Sequence, residues 1–164
     1  MRLLCTVLFF SAVLASPANA QSSSPSSSPG SSSSSSWEFG LGPVVAYRGG
    51  STHLGGGLTL AHRFDRFAIA LEGSGIRREG HNDWRVVGGP RAIFGASEGS
   101  SYFVQVLAGT FVRQSKSNWA VLPGAGFDAA IGSNSALRFQ IDVPVERDQG
   151  RTATSVRGSV WIIF

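Results

Sequence analysis

Cysteine is nearly missing from this chain of 164 residues, which contains one, Cys5. It lies inside an N-terminal apolar run and far from a cleavage site, so it is not the lipidated first residue of a mature lipoprotein. Disulfides, thiol chemistry and cysteine-ligated metals are therefore excluded from the mature protein. Long hydrophobic runs are missing as well. The run Leu3 to Ala15 falls short of the roughly 20 residues that a membrane helix needs, and nothing from Trp37 onward is longer. Helix formers in 3.6-residue order are absent from Trp37 to Phe164, where glycine is scattered throughout. Such a segment is either a soluble all-β domain or one that crosses a membrane as strands, each needing only about 9 to 11 residues. No stripe of one charge sign exists. The sequence pI is ≈ 10.2, but the basic residues divide between strand faces and connections, and nothing points to nucleic acid.

The N-terminus reads as a secretory signal peptide, residues 1–20. Met1-Arg2 supplies the positive start, Leu3 to Ala15 the apolar region, and Ala18-Asn19-Ala20 the small-residue cleavage site before Gln21. Residues 21–36 are a Ser/Pro-rich segment without charge or anything apolar to bury, expected to be a disordered tether. The remaining segment, 37–164, is expected to fold as one domain.

Leu137 to Val145 sets the pattern for that domain. Its letters alternate between apolar and polar, so Leu137, Phe139, Ile141, Val143 and Val145 share one strand face and Arg138, Gln140 and Asp142 the other. Similar segments recur: Trp37 to Tyr47, Leu54 to Phe64, Phe67 to Ile76, Trp84 to Phe94, Ser101 to Val112, Trp119 to Ile131 and Ala153 to Phe164. Both faces of the fifth are apolar, and only Gln105 marks its own parity as interior. Eight strands with charges on one face predict an all-β, eight-stranded, antiparallel, up-and-down transmembrane β-barrel, apolar toward lipid and polar within. A soluble ligand-binding barrel of the lipocalin kind would reverse the two faces.

The connections alternate in kind. Those at 65–66, 95–100 and 132–135 read as turns, and those at 48–53, 77–83, 113–118 and 146–152 as longer, more charged loops. Longer loops belong outside the cell, which puts both termini and the tether in the periplasm. Tyr47, Trp84 and Trp119 fall beside the longer loops, whereas Trp37, Phe64, Phe67, Phe94, Tyr102 and Phe164 fall at the turn side, giving two aromatic belts. Pro43, Pro90, Pro123 and Pro144 lie inside the proposed strands, where a missing amide donor predicts a bulge or rim position.

The inward list holds Glu38, Arg63, Glu72, Arg85, Arg91, Asp128, Arg138, Asp142 and Arg157, five positive and four negative. That near balance predicts a plugged interior, with Glu72, Arg91, Asp128, Arg138 and Asp142 in one ion-pair network. The longer loops carry Arg48, Arg77, Arg78, Arg113, Lys116, Arg147 and Arg151 against Glu79, Asp83, Glu146 and Asp148, an excess of three positive charges. Arg48, Arg77, Arg78, Arg113 and Lys116 are the candidate contacts to lipopolysaccharide phosphates. No cofactor or metal is expected. Of the three histidines, His81 shares a loop with Glu79 and Asp83, too weak a signal for a metal site.

Val87-Gly88-Gly89-Pro90-Arg91, Leu107-Ala108-Gly109, Pro123 to Asp128 and Leu137 to Asp142, followed by the terminal Phe164, resemble the small outer-membrane β-barrel domain family that includes the OmpA transmembrane domain and OmpX. The resemblance covers Trp37 to Phe164. It implies integral residence in the bacterial outer membrane and insertion by the barrel assembly machinery, with Ile162 and Phe164 matching the C-terminal assembly signal. Gly158 comes one residue early and Trp161 has interior parity, so a bulge is expected in the last strand. None of the three histidines is followed two residues on by a serine, as it is in the lipid A deacylases built on a similar barrel. The expected role is structural or surface-interacting and not enzymatic. A narrow porin-like channel and a lipid-modifying enzyme are the alternatives, since the fold leaves the activity open.

Overall fold

The structure, a computed structural model, describes residues 35–78, 80–97, 100–148 and 150–164. The signal peptide and all of the tether except Ser35 and Ser36 lie outside the described residues. Those two serines are the first residues of β1, which starts before Trp37.

Ten strands follow in order: β1 (Ser35–Arg48), β2 (Ser51–Phe64), β3 (Phe67–Arg78), β4 (His81–Ser97), β5 (Ser100–Arg113), β6 (Lys116–Ala130), β7 (Ala136–Asp142), β8 (Val145–Asp148), β9 (Arg151–Thr154) and β10 (Val156–Ile163). They make eight staves. β7 and β8 are one stave interrupted at Val143-Pro144, and β9 and β10 another interrupted at Ser155. Each stave pairs antiparallel with its sequence neighbours. β1 pairs β10, and β5 pairs β6, so the sheet closes into an eight-stranded antiparallel β-barrel. Closure leaves no edge to aggregate.

The faces sort as the alternation predicts. Leu58, Leu60, Ile69, Leu71, Val86, Val104, Val106, Phe139 and Ile141 stand exposed on the outside. Glu72, Arg91, Gln105, Arg138, Asp142 and Arg157 are buried within. Tyr47, Trp84 and Trp119 are exposed toward one end, and Trp37, Phe64, Phe67, Phe94, Tyr102 and Phe164 toward the other. Trp84 and Phe94 bound the band on β4, ten residues apart. At about 3.4 Å per residue and a tilt near 45° that spacing spans about 25 Å, the height of a lipid-facing band.

Connections differ from expectation. The four read as longer loops are two-residue turns, because Arg48 pairs with Ser51, Arg78 with His81, Arg113 with Lys116 and Asp148 with Arg151. Gly49 and Gly50 have φ of 58° and 84°, and Gln114 and Ser115 of 49° and 65°, as a type I′ hairpin requires. The longest connection, Ile131 to Ser135, is at the opposite end and is closed by the Ile131 amide donating to the Ser135 carbonyl. Apolar alternation stops where lipid stops, but the backbone ladder continues into water, so charged strand ends read as loops. Loop length therefore gives no orientation for this barrel.

Prolines also behave differently. Beside Pro90 the ladder skips from Gly88–Ala108 to Arg91–Gln105, three residues on along both strands, so the register is unbroken. The same holds beside Pro43, between Leu41–Ile162 and Val44–Ser159. Around Pro123 and Pro144 the ladder resumes in register, bridged by Val143 donating to the Pro123 carbonyl and Ser155 to the Pro144 carbonyl. A missing donor costs a rung, not a bulge. The expected bulge in the last strand is likewise absent, since β10 pairs with β7 continuously from Arg157 to Ile163. Among the described residues the register shifts between Phe94 and Ser97, where Gly95 adopts φ 59°.

Candidate functional site

The lumen is filled from two sides. On the β2 to β6 side, Ala61, Ala68, Ala70, Val87, Phe103, Leu107, Phe111 and Leu122 form an apolar cluster. Trp161, with Val44, Ile76 and Ile163, forms a second. Glycines make room for these rings. A Cβ on Gly126 would lie 2.3 Å from Phe103 Cζ, and one on Gly57 2.9 Å from the Trp161 ring.

Charged groups occupy the remaining volume in two clusters. The central one is a chain of ion pairs. Arg138 makes a two-pronged contact to Asp128 at 2.7 and 2.8 Å and reaches Glu38 at 2.9 Å. Glu38 lies 3.8 Å from Arg91, which lies 3.7 Å from Glu72. Arg157 joins Glu72 and Asp142, donating to each at 2.6 Å. Two glutamines complete the wiring. Gln105 accepts from Arg91 and donates to Glu72 and Asp142, and Gln140 donates to the same two carboxylates. Register places these partners: Asp128 faces Arg138, Arg157 faces Asp142, and Arg91 faces Gln105 across neighbouring strands. Arg91 and Arg138 also lie 4.6 and 5.0 Å from the Phe103 ring centre, a cation–π arrangement that ties the polar chain to the apolar cluster.

The structure thus joins Glu72, Arg91, Asp128, Arg138 and Asp142, with Glu38, Arg157, Gln105 and Gln140 as added members. Sequence reasoning placed Glu38 and Arg157 inside but not in the network. Their membership depends on register between distant strands.

The second cluster sits at the mouth, beneath the turns at 49–50 and 114–115. Glu146 is its hub. It was read as a loop residue, but it belongs to β8 and is 1% exposed. Arg48 donates to it at 2.8 Å, Arg85 makes a close contact to it, and Arg113 lies 3.6 Å away. Arg113 also donates to Asp83 at 2.9 Å. Among the candidate lipopolysaccharide contacts, then, Arg48 and Arg113 turn inward onto Glu146. Arg78 lines the mouth cavity, while Arg77 and Lys116 are exposed. The signal for Glu146 was its parity with Gln140 and Asp142 once Pro144 is read as leaving register intact.

Ile162 and Phe164 are exposed on the outer face, and the Phe164 backbone exchanges hydrogen bonds with Phe39 across the seam. No group of three or more His, Asp or Glu residues among the described residues could hold a metal ion.

This structure is similar to that of Neisserial surface protein A, with a TM-score of 0.65 and 7% identity over 79% of this chain and 96% of that one. It is also similar to Ail, the attachment invasion locus protein of Yersinia pestis, with a TM-score of 0.50 and 16% identity over 79% and 97% of the two chains. Both neighbours are small outer-membrane barrels of eight strands, and at such identities the likeness shows the fold. No family model matches the sequence, and no curated protein does.

Proposed function

We propose that this protein is an integral barrel of the bacterial outer membrane with a plugged lumen, serving envelope structure or surface interaction rather than catalysis. One observation carries the reading. A ring of exposed Leu, Ile, Val and Phe encircles a centre in which charged side chains pair with one another and Phe, Leu and Trp side chains pack beside them. Apolar groups outside and salt-linked groups inside suit hydrocarbon and leave no aqueous path. Outer-membrane residence of neighbours with the same fold supports the location. The termini and the tether are read as periplasmic, and the basic mouth as the outward end. Lipopolysaccharide remains the partner read for that end, through exposed Arg77 and Lys116. Ile162 and Phe164 are the residues read as engaging the barrel assembly machinery.

Membrane fractionation combined with planar-bilayer recording tests this reading. The protein is expected in the outer-membrane fraction, migrating faster in gels unheated than boiled and giving no conductance steps. Recovery from the soluble fraction would overturn the location. Steady single-channel steps would favour the porin-like alternative.

A further inference from the structure

The mouth cavity has a feature that the central network lacks. It is lined by Arg48, Arg78, Arg85 and Arg113 against Asp83 and Glu146, so cations outnumber anions by two among the described residues. Glu146 is engaged by arginines from three other strands and Asp83 by Arg113 through Oδ2, while Asp83 Oδ1 has no hydrogen-bond partner among the described residues. Arg85 gives one nitrogen to Glu146, yet its Nε and Nη1 have no hydrogen-bond partner among the described residues, although the side chain is only 10% exposed. His53, 8% exposed, lines the same cavity with its Nε2 unpartnered. Donors without acceptors in a buried, positively biased cleft are costly unless an acceptor arrives.

We propose that the barrel mouth binds a single phosphate or sulfate group between Arg78, Arg85 and His53. A tetrahedral oxyanion offers several strong acceptors at once, which matches the two free nitrogens of Arg85, the guanidinium of Arg78 and the ring nitrogen of His53. Those residues come from β2, β3 and β4, consecutive staves at one rim, and the register brings Ser74 of β3 opposite Arg85 and Gly55 of β2 opposite Ile76. The central cluster has no such surplus of cations, because Arg63, Arg91, Arg138 and Arg157 are matched in number by Glu38, Glu72, Asp128 and Asp142, even though Nη1 of Arg91, Arg138 and Arg157 is also without a hydrogen-bond partner among the described residues. The anion is either a free ion or a phosphate group carried on a saccharide. The proposal concerns the folded barrel and holds wherever that barrel resides.

Inorganic phosphate is titrated into the full chain, purified in a maltoside detergent that carries no phosphate, and followed by amide chemical shifts. Saturable binding is expected, weakened at least about tenfold in Arg78→Gln and in His53→Asn. Both variants should retain heat-modifiable migration. If either fails to fold, competition between phosphate and sulfate on the unaltered chain replaces it, and mutual displacement supports the site. Displacement of phosphate by purified lipopolysaccharide identifies a saccharide-borne group as the ligand, and no displacement identifies the free ion. Absence of saturable binding, or equal binding in the unaltered chain and both variants, overturns the proposal.

Discussion

The two charged clusters in the barrel use the same residue types to different ends. In the central one, Arg91, Arg138 and Arg157 have side chains at most 1% exposed, and each meets carboxylate or amide oxygens from other strands. In the mouth, Arg48 and Arg113 are 17% exposed and converge with Arg85 on Glu146, and Arg113 also holds Asp83. Burial makes pairing obligatory in the centre, since an unpaired charge there has no water to turn to. Near the rim, Arg48 and Arg113 keep enough exposure for water to take over part of their solvation, so a surplus of cations among the described residues is tolerated there, while Arg85 beneath them lies deeper. The centre is therefore read as a structural plug and the mouth as a surface able to receive an anion.

The strongest test of that contrast is Asp142→Ala. Asp142 is fully buried and accepts from Arg157, Gln105 and Gln140. Its loss leaves Arg157, Gln105 and Gln140 with Glu72 as their one shared carboxylate and should cost about 3 kcal/mol, read as a lowered urea midpoint for the barrel in lipid vesicles. A cost no greater than that of a rim substitution would erase the distinction between the clusters.

Glu146→Gln makes the matching change at the mouth. Three arginines lose their shared anion, but water reaches the rim, and the expected cost is smaller, about 1 to 3 kcal/mol. Added salt should recover part of it, because the repulsion among Arg48, Arg85 and Arg113 is screened where solvent enters. Salt should do little for Asp142→Ala. Unfolding at low and high ionic strength separates the two cases.

How much of this was legible in the sequence depends on the range of the signal. Lumen and lipid faces follow from period-two alternation, a local property, and even β5 sorts correctly because Gln105 marks its parity. The length of the strands was not legible. Thr52-His53 and Asn82-Asp83 lose the apolar alternation while keeping their ladder partners, so paired backbone outside the lipid band looks like loop. The strand Leu137 to Val145 stops one residue short of Glu146, where charged residues begin and read as loop, and so the inward position of Glu146 was missed. The wiring of the network was beyond reach for another reason. Arg157 meets Glu72 across 85 residues of chain, and only closure of the barrel at a fixed register brings them together.

The rim offers a last way to sharpen the comparison, by separating the mouth's ion pairs from the hairpins that carry them. Arg113 precedes the turn at Gln114 and Ser115, both of which adopt positive φ without being glycine or asparagine. Each L-residue there is strained against the carbonyl that follows its Cβ. Replacing the pair with Asn-Gly, the preferred type I′ sequence, should raise stability by about 1 kcal/mol while leaving the lumen untouched. If the mouth is held mainly by its hairpins, the same replacement gains more stability in the Glu146→Gln background than in the unaltered chain. If the ion pairs hold it, the two effects simply add, as expected for sites that do not share a partner. Comparing the double variant with the two single ones by urea titration decides between a mouth whose charges are needed for shape and one whose shape leaves its charges available to a ligand.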